Sequence, residues 1–202
     1  MKLTAQIKVL TSEEDHAALV ETMRVFNLAC QFISEYAFEH LTFNNRSLRE
    51  ILYYEVRERF CLPSQLTDRA FAKVASAYRT SLANLEKRQA KFDALSKEKQ
   101  AKRKRPELRV CRFRDKGAVV LDSRLLTYNT ANTITLRALK SRLSLTVQFP
   151  RGVDRTTIRG EADLILQGHT FYLLQTVEIA ELAPYATTKY IGVDLGMVHI
   201  AL

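Results

Sequence analysis

One acidic residue, Asp194, interrupts an apolar stretch near the end of the chain and is the residue best placed to do chemistry. The stretch covers residues 190–202 and reads YIGVDLGMVHIAL. Short apolar runs bounded by glycine are typical of buried strands, and a carboxylate in such a strand is costly unless something pairs with it. The usual partner of a lone strand aspartate is a divalent metal such as Mg²⁺. The alternative is an aspartate at a strand end that caps a turn.

Glycines lie close to this aspartate on both sides, at Gly192 and Gly196. A glycine lets another backbone, such as that of a nucleic acid, approach closely. An aspartate that holds Mg²⁺ ions beside such a backbone could activate water for phosphodiester cleavage. A two-metal site of this kind needs two or three more carboxylates from later strands. The sequence stops before such strands, so we expect the site to be completed by residues from elsewhere.

The composition favours a nucleic-acid-binding protein. The net charge is +9 and the pI is about 9.6, and a balance this basic indicates a polyanionic partner, most often nucleic acid; a generic basic surface is the alternative. The three cysteines form no C-x-x-C pair, which argues against a disulfide framework or a zinc ribbon. No signal peptide or apolar run of transmembrane length is visible. We therefore expect a cytoplasmic, nucleoid-associated protein of prokaryotic type with no membrane partner.

The elements that position these residues begin with a strand and two helices. Polar and apolar side chains alternate over residues 2–10, which predicts a half-buried strand. Two capping boxes, Thr11 with Glu14 and Ser47 with Glu50, predict the starts of two helices. Apolar stripes at steps of three and four face a core in both helices. Their members are Leu19, Met23, Phe26, Cys30, Ile33, Ala37 and Leu41 in the first helix, and Leu48, Ile51, Leu52 and Val56 in the second.

A third helix opens at Pro63 and continues toward Leu95, with rising charge. The run KEKQAKRKR at 97–105 is either a solvated linker or a hinge that contacts phosphates. After Pro106 the period of the apolar pattern changes from that of a helix to two, which predicts extended chain.

Short β-rich segments fill the rest of the chain, at 119–121, 125–128, 133–136, 143–149, 162–167 and 170–179. Their spacing predicts a small antiparallel barrel or sandwich, and the first strand should join it because a lone strand has no pairing partner. The predicted fold class is α+β. An antiparallel β-barrel (1–10 and 106–182) carries an α-helical insertion (11–105), and 188–202 begins a further domain.

Nine basic residues are candidates for phosphate contacts: Arg69, Lys73, Lys102, Arg103, Lys104, Arg105, Arg109, Arg112 and Arg114. Each could neutralise one phosphate, and several together would make binding strongly salt-dependent. For any single one, a solvated basic face is the alternative. Tyr53, Tyr54 and Tyr78 could stack on bases, with a position in the core as the alternative for each.

Three groups of motifs lie along this order of elements. The first is LPSQ at 62–65 with VASAY at 74–78, and the last is GVDLG at 192–196. Between them lie RFR at 112–114, DSRLLTY at 122–128, and a segment from ITL at 134–136 to LKSR at 139–142. With the strand, the helical insertion and the barrel, these motifs resemble the TnpB (OrfB) family of RNA-guided nucleases from insertion sequences. They also resemble the descendants of that family, the miniature type V CRISPR effectors.

The resemblance implies a role for each unit. The barrel would be a wedge domain and the helices a recognition lobe, and together they would hold a guide RNA and its heteroduplex with double-stranded target DNA. Residues 188–202 would begin an RNase H-like RuvC domain, in which Asp194 matches the first catalytic, Mg²⁺-binding carboxylate. The remaining acidic residues of the family, its arginine-bearing segment and its zinc ribbon lie beyond residue 202. Ser141 stands where the family has glycine.

These expectations leave several functions open. The first is the N-terminal portion of an RNA-guided DNA endonuclease of a transposable element, an enzyme only when a C-terminal RuvC half or a second copy completes it. The second is a catalytically inactive, truncated RNA-guided DNA-binding protein that acts like a repressor. The third is an inactive remnant of a mobile element. RNA that copurifies with the protein would favour the first two over the third.

Overall fold

Three long helices follow a single strand at the start of the chain. The computed structural model describes residues 1–129 and 132–179. Strand β1 spans Lys2–Leu10, helices α1, α2 and α3 span Glu13–Glu39, Asn45–Phe60 and Ser64–Asp93, and a short helix α4 spans Lys97–Ala101. The predicted helical insertion after the first strand is confirmed.

The two predicted capping boxes are wrong in detail. In α1 the capping side chain is that of Ser12, whose Oγ accepts a hydrogen bond from Asp15 N at 3.1 Å. In α2 it is that of Asn44, whose Oδ1 accepts from the backbone N–H of Arg46 at 2.8 Å. Serine, threonine and asparagine are all good caps. Where several stand side by side, the backbone conformation selects one, and sequence spacing cannot.

The apolar stripes of α1 and α2 face the core with two exceptions. Leu41 is 72% exposed because α1 ends at Glu39 and Leu41 has a positive φ of 50°. Ile51 is 55% exposed because Leu48, Leu52 and Val56 form the buried row of α2 at steps of four. In an α-helix a neighbour one residue away points about 100° to the side, so Ile51 lies off that row.

The remaining strands form one antiparallel sheet with β1. They are β2 (Val119–Leu121), β3 (Leu126–Tyr128), β4 (Thr133–Arg137), β5 (Arg142–Gln148), β6 (Ile158–Gln167) and β7 (Thr170–Glu178). The order across the sheet is β2-β6-β7-β1-β5-β4-β3. Strand β1 is central, with Ile7 opposite Leu173 of β7 and Val9 opposite Val147 of β5. The predicted membership of the first strand in this sheet is therefore confirmed.

The two edge strands, β2 and β3, are consecutive in the chain, so the turn between them brings the sheet edges together and leaves a nearly closed barrel. Asp122 makes this turn. Its Oδ1 accepts hydrogen bonds from the backbone N–H groups of Arg124 and Leu125 at 2.9 and 3.1 Å. Closure leaves little unpaired strand edge for another chain to add to. The predicted α+β class with an antiparallel barrel is confirmed at this level.

Helices and barrel share one hydrophobic core. Phe26 of α1, Phe71 of α3, and Ile7 and Phe171 of the sheet are fully buried in the same cluster. In the described part of the chain, no helix combines the length and the apolar character needed to cross a bilayer. Asp194 and the predicted RuvC strands at 188–202 lie outside the described residues.

Candidate nucleic-acid interface

Residues 102–118, here called the basic arm, connect α4 to β2 without forming a strand. The predicted alternation holds only from Cys111 to Arg114, where Cys111 and Phe113 pack against the core while Arg112 and Arg114 are exposed. Before Cys111 it is wrong, because Leu108 packs against the core and Arg109 is exposed. Residues 111–114 therefore have the inward and outward faces of a strand but no strand ladder.

Side chains of α1 and α3 bind the backbone of the arm where a neighbouring strand would normally do so. Gln31 Oε1 accepts from Phe113 N at 2.9 Å, and Ser34 Oγ donates to Cys111 O at 2.7 Å. The hydroxyl of Tyr78 accepts from Cys111 N at 3.4 Å. A backbone polar group away from water needs a partner, and these helical side chains supply one.

The arm runs antiparallel to α3. Gln89 Nε2 donates to Pro106 O at 3.0 Å, Tyr78 contacts Cys111, and further toward the start of α3, Lys73 contacts Ala118. Between the first two contacts, the helix and the extended arm each cover about 16 Å, at about 1.5 and 3.3 Å per residue. Because the two lengths match, the arm lies straight along the second half of α3.

Lys73 is the internal anchor of the arm. Its Nζ donates to Asn27 Oδ1 at 2.8 Å and to Ala118 O at 2.5 Å, and it lies 5.2 and 5.4 Å from the ring centres of Phe26 and Phe113. Burial lowers the pKa of this ammonium group below its ordinary value. With its donors directed into the protein, Lys73 does not present a free charge to phosphate.

Asn27 completes the anchor from α1. It is fully buried, and its Nδ2 donates to Gly117 O at 2.8 Å. A Cβ atom at Gly117 would lie 2.9 Å from Asn27 Oδ1 and 3.0 Å from Arg114 O, closer than packed atoms tolerate without a shift. Glycine therefore permits the close approach of the arm to α1 at this point.

Arg69 is also engaged within the protein. Its guanidinium pairs with the carboxylate of Glu161 on β6, and its Nε lies 3.3 Å from Asp122 Oδ2, within ion-pair distance but without hydrogen-bond geometry. Gln65 Nε2 donates to the same Asp122 oxygen at 2.5 Å. These contacts dock the start of α3 on the corner of the barrel. The side chain of Arg69 is only 16% exposed, so we leave it and Lys73 out of the candidate interface.

The structure brings the other seven predicted residues together on the arm. They are Lys102, Arg103, Lys104, Arg105, Arg109, Arg112 and Arg114, and all are exposed. Arg105 pairs with Asp93 at 3.3 Å, and the other six form no ion pair with the described residues. These seven exposed cations therefore lie along one continuous segment of the chain.

A polar groove between α3 and the arm concentrates this charge. Its lining includes Arg88, Lys104, Arg105 and Arg109, with Glu107 as the single acidic residue. Arg88 comes from α3 and was not among the predicted residues, because its sequence neighbours alone give no indication that the arm folds back beside it.

The excess charge of the protein is confined to this region. Residues 79–116, from the second half of α3 through the arm, contain fourteen lysines and arginines and five aspartates and glutamates. Their net charge of +9 equals that of the whole chain, so the rest of the sequence is balanced. Counting charge by segment would have identified this region from the sequence.

The three candidate tyrosines differ in their surroundings. Tyr78 is fully buried and its hydroxyl donates to Ser34 O at 2.8 Å, so it is a core residue. Tyr53 is half-buried, whereas Tyr54 is 81% exposed. Only Tyr54 therefore presents a largely open ring.

The turn around Ser141 does not require glycine. Ala138 N donates to Ser141 O at 2.9 Å to close the turn, and Ser141 is not among the residues with positive φ. A serine can therefore adopt this backbone without strain.

Over residues 1–129 and 132–179, no group of three or more His, Cys, Asp or Glu side chains is arranged to hold a metal ion. The predicted metal ligand, Asp194, lies outside those ranges. A scan against protein-family models and a search of the curated proteins each found no match to this chain.

Proposed function

We propose that this chain binds nucleic acid along the basic arm and the second half of α3. The observation that carries the proposal is the confinement of the whole net charge of +9 to residues 79–116, with eight exposed cations on the arm, the seven predicted ones and Lys116. A nucleic-acid backbone is the common cellular polyanion that such an elongated basic surface fits, because each phosphate that a cation neutralises releases a condensed counterion.

The geometry of the arm suits a sugar–phosphate backbone. Arg112 and Arg114 point outward two residues apart, about 6.6 Å along an extended chain, a spacing similar to that of neighbouring phosphates in one strand. Arginine can bind phosphate with two parallel hydrogen bonds. The contacts from α1 and α3 hold the arm in place before binding, which reduces the entropy lost when a partner binds.

The finer proposal is that the chain is the nucleic-acid-holding portion of an RNA-guided DNA endonuclease of the TnpB type. Its support is the order of strand, helical insertion and antiparallel barrel, together with the motifs at 62–65, 112–114 and 192–196. In this proposal the partners are a guide RNA and double-stranded target DNA. Asp194 contributes one carboxylate to a Mg²⁺ site that further carboxylates, from a C-terminal RuvC half or a second copy, must complete.

A salt titration of binding tests the coarser proposal. The full chain is titrated onto a fluorescently labelled RNA, and the dissociation constant is measured by anisotropy at several salt concentrations. We expect the triple change Arg109→Gln, Arg112→Gln, Arg114→Gln to remove about two to three phosphate contacts. Each lost contact should reduce the slope of log affinity against log salt concentration by about 0.7 to 0.9.

The matched control changes three exposed basic residues outside this region, Lys8→Gln, Arg151→Gln and Arg155→Gln. We expect the control to bind with the slope of the unmodified chain. Equal losses in both triple variants would overturn the assignment to the arm, and binding without salt dependence would overturn the proposal.

Sequencing of copurified RNA tests the finer proposal. Tagged protein is isolated from a host that carries the gene with its flanking DNA, and the bound RNA is sequenced. A discrete structured RNA transcribed from beside the gene is the expected result. RNA that samples the whole transcriptome would contradict guide-directed function while leaving general nucleic-acid binding intact.

A further inference from the structure

The outer face of α2 carries a second group of cations, separate from the basic arm. Only Leu48, Leu52 and Val56 of this helix are buried. On another face Arg46, Arg49, Tyr53 and Arg57 follow at steps of three and four, the spacing that places side chains next to each other on a helix. With Tyr54 beside them, these side chains form one surface that the fold does not cover.

The two tyrosines of this surface contact each other and the arginines. The guanidinium groups of Arg49 and Arg57 lie 5.1 and 5.8 Å from the ring centre of Tyr53. The rings of Tyr53 and Tyr54 meet edge to face, with centres 5.5 Å apart and an interplanar angle of 85°. Tyr53 is thus held in position, whereas Tyr54 is 81% exposed.

Charge is distributed unevenly along this face. Arg46 pairs with Glu50 at 2.9 Å and Arg49 pairs with Asp68 at 2.7 Å. Arg57 forms no ion pair with any residue that the structure describes, and Arg57 and Tyr54 each contact the ring of Tyr53. An open aromatic ring and an uncommitted cation therefore contact the same tyrosine, and they are three residues apart, a spacing that makes them neighbours on the helix.

The open ring of Tyr54 and the unpaired cation of Arg57 together favour a partner that has a flat ring and a negative charge. An apolar protein surface would leave the charge of Arg57 without water or a partner, which is costly. A nucleotide offers a ring for Tyr54 and a phosphate for Arg57 in a single unit. An unpaired nucleotide fits best, since a base within a duplex already has neighbours on both of its faces.

We infer that Tyr54 and Arg57 form a binding site for an unpaired nucleotide, with its base stacked on Tyr54 and its phosphate on Arg57. The inference rests on the proposed nucleic-acid binding and adds a second contact that recognises single-stranded character. Stacking on an aromatic ring tolerates any base, because every base has a π-face. The site therefore distinguishes single strands from duplexes and not one sequence from another.

Single-stranded oligonucleotides that contain 2-aminopurine, and the corresponding duplexes, test the site on the full chain. Stacking on tyrosine quenches 2-aminopurine fluorescence, so we expect quenching of the single strand and none of the duplex. Tyr54→Ala should abolish the quenching and weaken binding of the single strand by about tenfold, within the range for loss of one base stack. Tyr54→Phe keeps the ring and should behave like the unmodified chain.

Arg57→Gln provides a separate readout. It should lower the slope of log affinity against log salt by about 0.7, the value for one phosphate of a single strand, whereas Tyr54→Ala should leave the slope unchanged. Both side chains are exposed, and a thermal melt of each variant verifies folding.

The outcomes separate this inference from the proposed function. Salt-dependent binding that persists in Tyr54→Ala with unchanged affinity and quenching would overturn the Tyr54 site and leave the arm proposal standing. Absence of binding to any nucleic acid by the unmodified chain would overturn both. A dimer of the unmodified chain that Tyr54→Ala dissociates in sedimentation would assign this face to a second copy and also overturn the inference.

Discussion

The ammonium group of Lys73 lies 2.8 Å from Oδ1 of Asn27, and this contact joins α3, α1 and the basic arm at one point. Asn27 binds the carbonyl of Gly117 with its amide, and Lys73 binds the next carbonyl, that of Ala118. Lys73, one of the two cations of α3 that were predicted to contact phosphate, is thus a structural residue. Its role is to hold in place the segment that carries the exposed cations.

Replacement of this lysine tests the anchor. Lys73→Met keeps an unbranched side chain one atom shorter but leaves Asn27 Oδ1 and the carbonyl of Ala118 without their donor. We expect a loss of about 1 to 3 kcal/mol in the free energy of unfolding, the cost of buried groups left unpaired. Hydrogen exchange of the arm amides should become faster. Lys116→Met, at an exposed position of the same arm, is the control, and similar behaviour of both variants would contradict the anchor.

Asp122 joins the turn between β2 and β3 to the start of α3. Its carboxylate accepts from two backbone N–H groups and from Gln65, and it lies at ion-pair distance from Arg69. Asp122→Ala should cost about 1 to 3 kcal/mol, because hydrogen bonds to a charged group are among the stronger ones. Denaturant unfolding at neutral pH measures the change.

Asp154→Ala is the matched comparison for Asp122. Asp154 also accepts hydrogen bonds from its own turn, at Thr156, but it is exposed, and among the described residues no hydrogen bond or ion pair joins its side chain to another element. We expect a smaller loss of stability there than at Asp122. Equal losses would show that the docking of α3 adds nothing at the barrel corner.

The carboxyl group of Asp163 on β6 should make the stability of the folded chain depend on pH. Burial raises the pKa of its carboxyl above the ordinary value of 3.8, opposed by Lys73 and assisted by Glu161. The folded state therefore holds this proton to a higher pH than the unfolded state does, so the contribution of Asp163 to stability falls as pH rises above about 3.8 toward the folded pKa. At neutral pH the full cost of burying the ionised carboxylate of Asp163 is present.

Asp163→Asn removes that cost. We expect its melting temperature to exceed that of the unmodified chain at pH 7, and the difference to disappear as pH falls below 3.8, where Asp163 is protonated in both states. Thermal melts of both proteins at several pH values measure this. A variant less stable than the unmodified chain at pH 7 would show that attraction between Asp163 and Lys73 outweighs burial.

In the proposed nuclease, Asp194 is needed for cleavage of DNA but not for binding of the guide RNA. Supplied with a C-terminal RuvC half and a guide, the complex should cleave target DNA in Mg²⁺, and Asp194→Asn should abolish cleavage by removing one anionic metal ligand. Affinity for guide RNA should not change, since the arm is untouched. Asp154→Asn, at an exposed turn, serves as the control. Full cleavage by Asp194→Asn would exclude this residue from the metal site.

Local pattern alone determined the order and type of most elements. The alternation over 2–10 and in the later short segments, and the stripes in α1 and α2, are properties of neighbouring residues, and a strand or helix that buries them follows directly. The net charge and its concentration in residues 79–116 are likewise present in the sequence. The resemblance that suggests Asp194 as a metal ligand also depends on sequence alone, and it stays a prediction.

Tertiary structure decided which cations face water and what binds the arm. Lys73 and Arg109 are equivalent as charges in a sequence, but one is inserted between Asn27 and the arm while the other is exposed, because only the packing of α1 on α3 creates that internal site. Residues 111–114 have the period of a strand, yet the backbone groups of Cys111 and Phe113 are bound by side chains of Gln31, Ser34 and Tyr78. These partners lie more than thirty residues away in the sequence, so no local pattern can identify them.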